Sequence, residues 1–312
     1  MSAPPPVGRG TGPTERPLPS PTAFLTGEAG TPGGPRRLVL RRVQDRLLDA
    51  RLALSRAGAR MNRAAAAVPA RDVLVVSVYR AGEARPGAAG SPTLAAALDE
   101  LAASRHSPRV ALGAMGPAAP ALADRTVAAG LGGGKFENLN EVLAAAGGAE
   151  PDWALVVDDD VVLPPRFLDR FLGVCECLDL ALAQPAQTLA SFAAWPVTRR
   201  RPGLLARETR FVEIGPVTAF GREALAALTP FPPLRYGWGL DLHWAALAAD
   251  RGWRLGIVDA LPVRHEHAAV AASYSSSDAI EEARRFLAEH AFIDQARALE
   301  TVRAHGLSAP LR

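Results

Sequence analysis

The chain has 312 residues, 48% hydrophobic and 21% charged, the balance of a globular protein with a sizeable core rather than of a disordered or fibrous one. Its formal charge is only +3 although the pI is about 9.3, so the charge balance gives no argument for nucleic acid as a partner. No apolar run reaches the ~18 residues of a membrane span, and the N-terminus has no signal-peptide core, so a cytoplasmic protein is expected.

Residues 1–36 are rich in Pro, Gly, Ser and Thr and read as a disordered tail. The segment 37–70 reads as an N-terminal helix with Val39, Val43, Leu47, Leu48 and Leu52 on one stripe and arginines opposite. Two readings stand: a helix docked on the domain, or a basic amphipathic helix in peripheral contact with an anionic membrane. The region 71–270 reads as one α/β domain. Val73–Val78 is an apolar strand buried on both faces, followed by helix Pro92–Ser104, strand Arg109–Leu112 and helix Ala118–Ala129. A glycine-rich turn, "GLGGGK", leads into helix "FENLNEVLAAA" and then strand Trp153–Val157. Alternating strands and helices imply a largely parallel sheet, and in such sheets ligands sit beyond the carboxyl ends of the strands.

The order then becomes mixed. Helix Pro165–Cys177 is followed by strand Leu180–Ala183, an irregular arginine-rich loop to Arg210, and paired strand segments in "FVEIGPVTAF". Cys175 and Cys177 are two apart on a helix, where side chains diverge, and read as small apolar residues rather than a disulfide. Helices Glu223–Ala227 and Leu240–Asp250 precede strands Arg254–Val258 and Pro262–His265. The segment 271–312 closes with helix Asp278–His305.

Strand Trp153–Val157 runs directly into Asp158, Asp159 and Asp160. Three adjacent carboxylates repel one another, and a cluster of this kind at a strand end suits a hard divalent cation, Mg²⁺ or Mn²⁺. Strand alternation sets Asp158 and Asp160 toward one side and leaves Asp159 to anchor the turn. Val161, Val162 and Leu163 separate the trio from the next helix, so helix capping does not account for it. An Asp-x-Asp-x-Thr phosphatase loop fails at Val162, and a receiver-type site fails because the single lysine, Lys135, lies upstream.

The stretch Gly132–Leu172 resembles the nucleotide-sugar-binding half of family-2-like glycosyltransferases with the GT-A fold. Lys135 and Asn140 fall on that family's Lys and helical Asn, and Asp158 and Asp160 on its Asp-x-Asp metal motif. The stretch Phe211–Leu225 is similar to the family's acceptor-side block. In "YGWGLDLHWAALAADRGWRLGIVDALPVRHEH", Asp241 matches the acidic position, Gly252 the helix stop and His265 the histidine. The resemblance covers roughly Val73 to His267. It implies a central mixed, mostly parallel Rossmann-like sheet flanked by helices, and metal-dependent transfer of a sugar from a nucleotide-sugar donor to an acceptor hydroxyl, with inversion.

In that reading Lys135, Asn138, Asn140, Asp158 and Asp159 bind the donor, while Asp158, Asp160 and His265 hold the metal, with His267 as substitute. Asp241 is the general base, and Glu213, Tyr236 and Trp238 face the acceptor, which is a glycan, lipid, small molecule or protein. Two departures stand out: the second strand ends "LGAMGP" without the family's base-binding aspartate, and the processive Gln-x-x-Arg-Trp element is absent. The alternatives are a catalytically inactive nucleotide-sugar-binding scaffold and a sugar-phosphate nucleotidylyltransferase.

Overall fold

In the computed structural model, which describes residues 17–20, 34–80, 90–148, 150–265 and 275–308, the apolar runs become the centre of one twisted sheet. Its strands are β1 (Val73–Tyr79), β2 (Arg109–Ala114), β3 (Thr126–Ala129), β4 (Trp153–Val157), β5 (Val161–Val162), β6 (Leu180–Gln187), β7 (Leu204–Thr209), β8 (Val217–Gly221), β9 (Arg254–His265) and β10 (Thr301–Gly306). Their spatial order is β10-β7-β9-β6-β8-β4-β1-β2-β3, with β5 paired to β9 outside this path. Along the path only β7 and β8 run against the others, so the sheet is mixed and mostly parallel.

Strand alternation divides the core into two layers. Leu74, Val76 and Val156 face helices Lys135–Ala146, Leu240–Arg251 and Ser276–Glu289. Val73, Val75, Trp153, Leu155 and Val157 face helices Ala57–Ala67, Gly90–Ala102 and Phe167–Cys177. Cys175 is buried in the second layer and no disulfide forms. Helix Phe167–Cys177 takes its first amide bond from Glu100, whose Oε1 accepts from the Phe167 N–H at 3.0 Å, so the acidic trio does not cap it.

Several expected elements differ. The N-terminal helix is two helices, Gly34–Leu54 and Ala57–Ala67. Ser55 separates them, its hydroxyl donating to the Leu52 carbonyl and accepting from the Ala57 N–H. The expected helix Ala118–Ala129 is a short 3₁₀ turn, Pro120–Arg125, followed by β3, with the Thr126 hydroxyl bonded to Leu122 and Tyr79. The arginine-rich loop contains β7. In "FVEIGPVTAF" only β8 is a strand, and it pairs with β4 and β6 rather than with the residues before it. Pro216 has no N–H to offer, and the Glu213 N–H is taken by the Gln184 side chain.

The two expected strands at 254–265 are one, β9, which passes Pro262 where the β6–β9 register shifts. The expected closing helix is helix Ser276–Glu289, a short turn at Gln295–Ala298, and edge strand β10 against β7.

Candidate functional site

The carboxyl ends of β1, β4 and β9 open into a cleft of about 510 Å³. The acidic trio lies on the turn after β4, and all three carboxylates line the cleft. The expected division, with Asp159 on the far side, is therefore corrected: alternation stops at Val157, where the strand ends. Asp159 Oδ2 accepts from the Arg80 N–H at the end of β1, 3.3 Å away.

Each of the outer carboxylates faces a cation. Lys135 Nζ is 2.5 Å from Asp158 Oδ1 and donates to the Ile214 carbonyl at 3.0 Å. Lys135 is the first residue of its helix, and the preceding Gly134 packs against the backbone of Arg235 with no room for a Cβ. Gly215 also lies close to the pair: a Cβ there would lie 2.9 Å from both Asp158 Oδ2 and Lys135 Nζ, so one of these side chains would have to shift. Asp160 Oδ1 lies 3.0 Å from His265 Nε2. The β5–β9 pairing creates this contact by setting His265 opposite Val161, next to Asp160.

The electrostatics follow from crowding. Burial, then the Asp160 charge, raises Asp159 to about 6. Burial disfavours the His265 imidazolium, but the hydrogen bond and charge of Asp160, with Asp158 and Glu213, outweigh it and lift the group to about 9. To ligate a metal, His265 would have to act as a neutral imidazole. His267 lies outside the described residues.

A second pair of carboxylates lines the same cleft. Asp241, in the first turn of helix Leu240–Arg251, is 5% exposed; burial pushes it up to about 7 against stabilising bonds from the Leu242 N–H and Trp195. Glu213 is held by Gln187 Nε2 at 2.9 Å and the Ala194 N–H at 3.3 Å, and burial, then the Asp241 charge, lifts it to about 8. Tyr236 and Trp238 also line the cleft.

Two expected donor-binding residues are elsewhere. Asn138 is fully buried, and its amide clasps the Gly133 N–H and carbonyl, both at 3.0 Å. Asn140 does the same to Phe231, both bonds 2.8 Å. Neither side chain lines the cleft. Both amides organise loops, and the expectation of donor contact is corrected. Sequence reasoning passed over Trp195, Arg80 and Arg235, all of which line the cleft. In a chain whose basic residues are arginines apart from one lysine, nothing local singled out these two.

Hard carboxylate oxygens on one turn fit a divalent cation of the kind held by one or two carboxylates plus substrate phosphates. Among the described residues, no group of three or more His, Cys, Asp or Glu side chains is arranged to hold a metal by itself.

No protein-family model matches the chain, and no curated protein matches it. Among solved structures, it is similar to S. aureus TarS in complex with UDP-GlcNAc, at 12% identity over 72% of this chain and 68% of that one, TM-score 0.49. A mycobacterial protein matches at 16% identity over 80% and 90%, TM-score 0.49. GalNAc-T7 with UDP, GalNAc and Mn²⁺ matches at 11% identity over 68% and 48%, TM-score 0.48. Likenesses this distant carry no argument about what this chain binds or does.

Proposed function

We propose that the chain is a GT-A-type, family-2-like glycosyltransferase that moves a sugar from a nucleotide-sugar donor to an acceptor hydroxyl with inversion. The observation that carries this reading is the meeting, in one cleft at the strand carboxyl ends, of the acidic turn and Lys135 with the buried carboxylates Asp241 and Glu213. The first group suits a diphosphate, and the second suits a proton in transit.

In the transfer, the acceptor oxygen forms a bond to the anomeric carbon as the bond from that carbon to the phosphate oxygen breaks. The acceptor proton passes to Asp241, and the negative charge stays on the leaving nucleoside diphosphate. A base works best with a pKa near the working pH, and burial has raised Asp241 to about 7. Lys135 offers the departing diphosphate a fixed positive charge at the cleft wall, with Arg80 and Arg235 on the same lining. Preorganised charge aimed where charge develops is typically the largest catalytic term. A divalent cation, Mn²⁺ or Mg²⁺, shared between Asp158, Asp160 and the donor phosphates would supply Lewis-acid neutralisation of that diphosphate. Tyr236 and Trp238 offer faces for an acceptor sugar beside Asp241. Single displacement at one base leads to inversion.

The test is incubation with Mn²⁺ and a panel of UDP-, GDP-, dTDP- and CDP-sugars. Release of nucleoside diphosphate, by transfer or slow hydrolysis, supports the reading. Binding without turnover favours a non-catalytic scaffold, and pyrophosphate chemistry favours a nucleotidylyltransferase.

A further inference from the structure

The first helix, Gly34–Leu54, turns the wrong face outward for a docked helix. At 3.6 residues per turn, Val39, Leu40, Val43, Leu47 and Leu54 fall within an arc of roughly 100°. These five side chains are between 46% and 90% exposed. The inward face is largely polar: Arg41 and Asp45 are buried, beside the half-buried Leu48 and Leu52. Asp45 accepts from the Leu189 and Ala190 N–H groups at 3.0 and 2.9 Å, and Arg200 reaches Asp49 at 2.6 Å. Hydrogen bonds and ion pairs, with Leu52 packed on the core, thus attach the helix to the body, and Val39, Val43 and Leu47 of the sequence's stripe are left outside. The expectation of docking through Val39, Val43 and Leu47 is corrected.

The charge around the stripe has one sign. Arg42 and Arg46 border it on one side and Arg51 on the other, with Arg36 at its N-terminal end, and all four are exposed. The helix's two acids, Asp45 and Asp49, are both engaged by the body. An exposed apolar arc flanked by arginines is the pattern of a helix that lies in a membrane interface, apolar face in the acyl boundary and cations on the phosphates. No helix among the described residues is long and apolar enough to cross a membrane, so contact through this helix would be peripheral. We infer that helix Gly34–Leu54 docks the protein on an anionic lipid bilayer.

The experiment is flotation of the full chain with vesicles of phosphatidylcholine alone or mixed with phosphatidylglycerol. The wild-type protein floats with the anionic vesicles and not with the neutral ones, and added salt releases it. Leu40→Glu with Leu47→Glu lowers partitioning by at least about tenfold. Arg42→Glu with Arg46→Glu lowers it by at least about twentyfold, near fivefold per arginine lost. All four side chains are exposed, so thermal melts of both double variants should match the wild type. Equal binding to neutral vesicles, or unchanged flotation of both double variants, overturns the inference. So does a wild-type dimer that fails to float and that Leu40→Glu with Leu47→Glu dissociates, because a second copy would then be what covers the stripe.

Discussion

Lys135 Nζ lies 2.5 Å from one oxygen of Asp158 and takes the Ile214 carbonyl as its second partner, so its ammonium is fixed at the wall of the cleft. Lys135→Ala should weaken nucleoside diphosphate binding by about tenfold or more, since charge-assisted bonds are the strong ones. Calorimetry checks this, and an unchanged Kd would remove Lys135 from the site. Asp241→Asn should leave donor affinity near normal and lower kcat by about 10²–10⁴. In the wild type, kcat should rise as pH passes about 7, where burial has set the Asp241 carboxyl, because a base must first lose its proton. A flat profile across that range would contradict the assignment. The carboxylates and the lysine were legible in the sequence because their chemistry is unusual wherever they sit. Asn138 and Asn140 were not legible, since an amide on a helix looks the same whether it meets a ligand or the backbone of its own loop. Asn140→Ala should accordingly destabilise the fold by about 2 kcal/mol, leaving the Phe231 N–H and carbonyl without their partner, and spare donor binding. Thermal melts and donor titration together separate the two roles.

Among the elements, β1, β2 and β4 followed from apolar runs, which needed only local information. What failed was decided by contacts distant in sequence. β7 looked like loop because it carries Arg207, yet that guanidinium is fully buried against Asp259 on β9, with bonds of 2.8 and 3.0 Å. The same side chain holds the Val197 and Arg199 carbonyls, and Asp259 accepts from the Arg201 N–H. The pair therefore fastens the segment before β7 to β9. Asp259→Asn should cost about 3–5 kcal/mol, as expected when one partner of a buried ion pair is neutralised. Chemical denaturation measures it, and a loss under about 1 kcal/mol would show the pair to be dispensable. β10 failed for a related reason: the local pattern predicts Thr301–His305 as the tail of a helix, but pairing with the β7 edge overrides it.

For the whole molecule, the two buried carboxylates that line the cleft, Asp241 and Glu213, should make stability depend on pH. Asp241 and Glu213 are raised from ordinary values of 3.8 and 4.5 to about 7 and about 8 by burial. The folded state therefore holds protons that the unfolded chain has released, and stability contributed by those groups falls as pH rises from about 4 to about 8. Thermal melts of the wild type should decline over that window, and Glu213→Gln with Asp241→Asn should flatten the decline. An unchanged slope in the double variant would place the proton uptake elsewhere.

The α/β architecture was readable from the alternation of elements, and the site's address followed from the strand ends. The outward stripe of the first helix was not readable, because a helical pattern shows which residues share a face and not whether that face turns in or out.

The central claim is that the acidic turn after β4 binds a sugar nucleotide through its diphosphate. Its most direct test is calorimetry of nucleotide sugars against the wild type and Asp160→Ala, with and without Mn²⁺ or Mg²⁺. Divalent-linked binding of at least one nucleotide sugar, lost in Asp160→Ala while the melt stays intact, is the predicted result. Folded wild-type protein that takes up no nucleotide sugar with either ion, or an Asp160→Ala variant that binds as the wild type does, would contradict it.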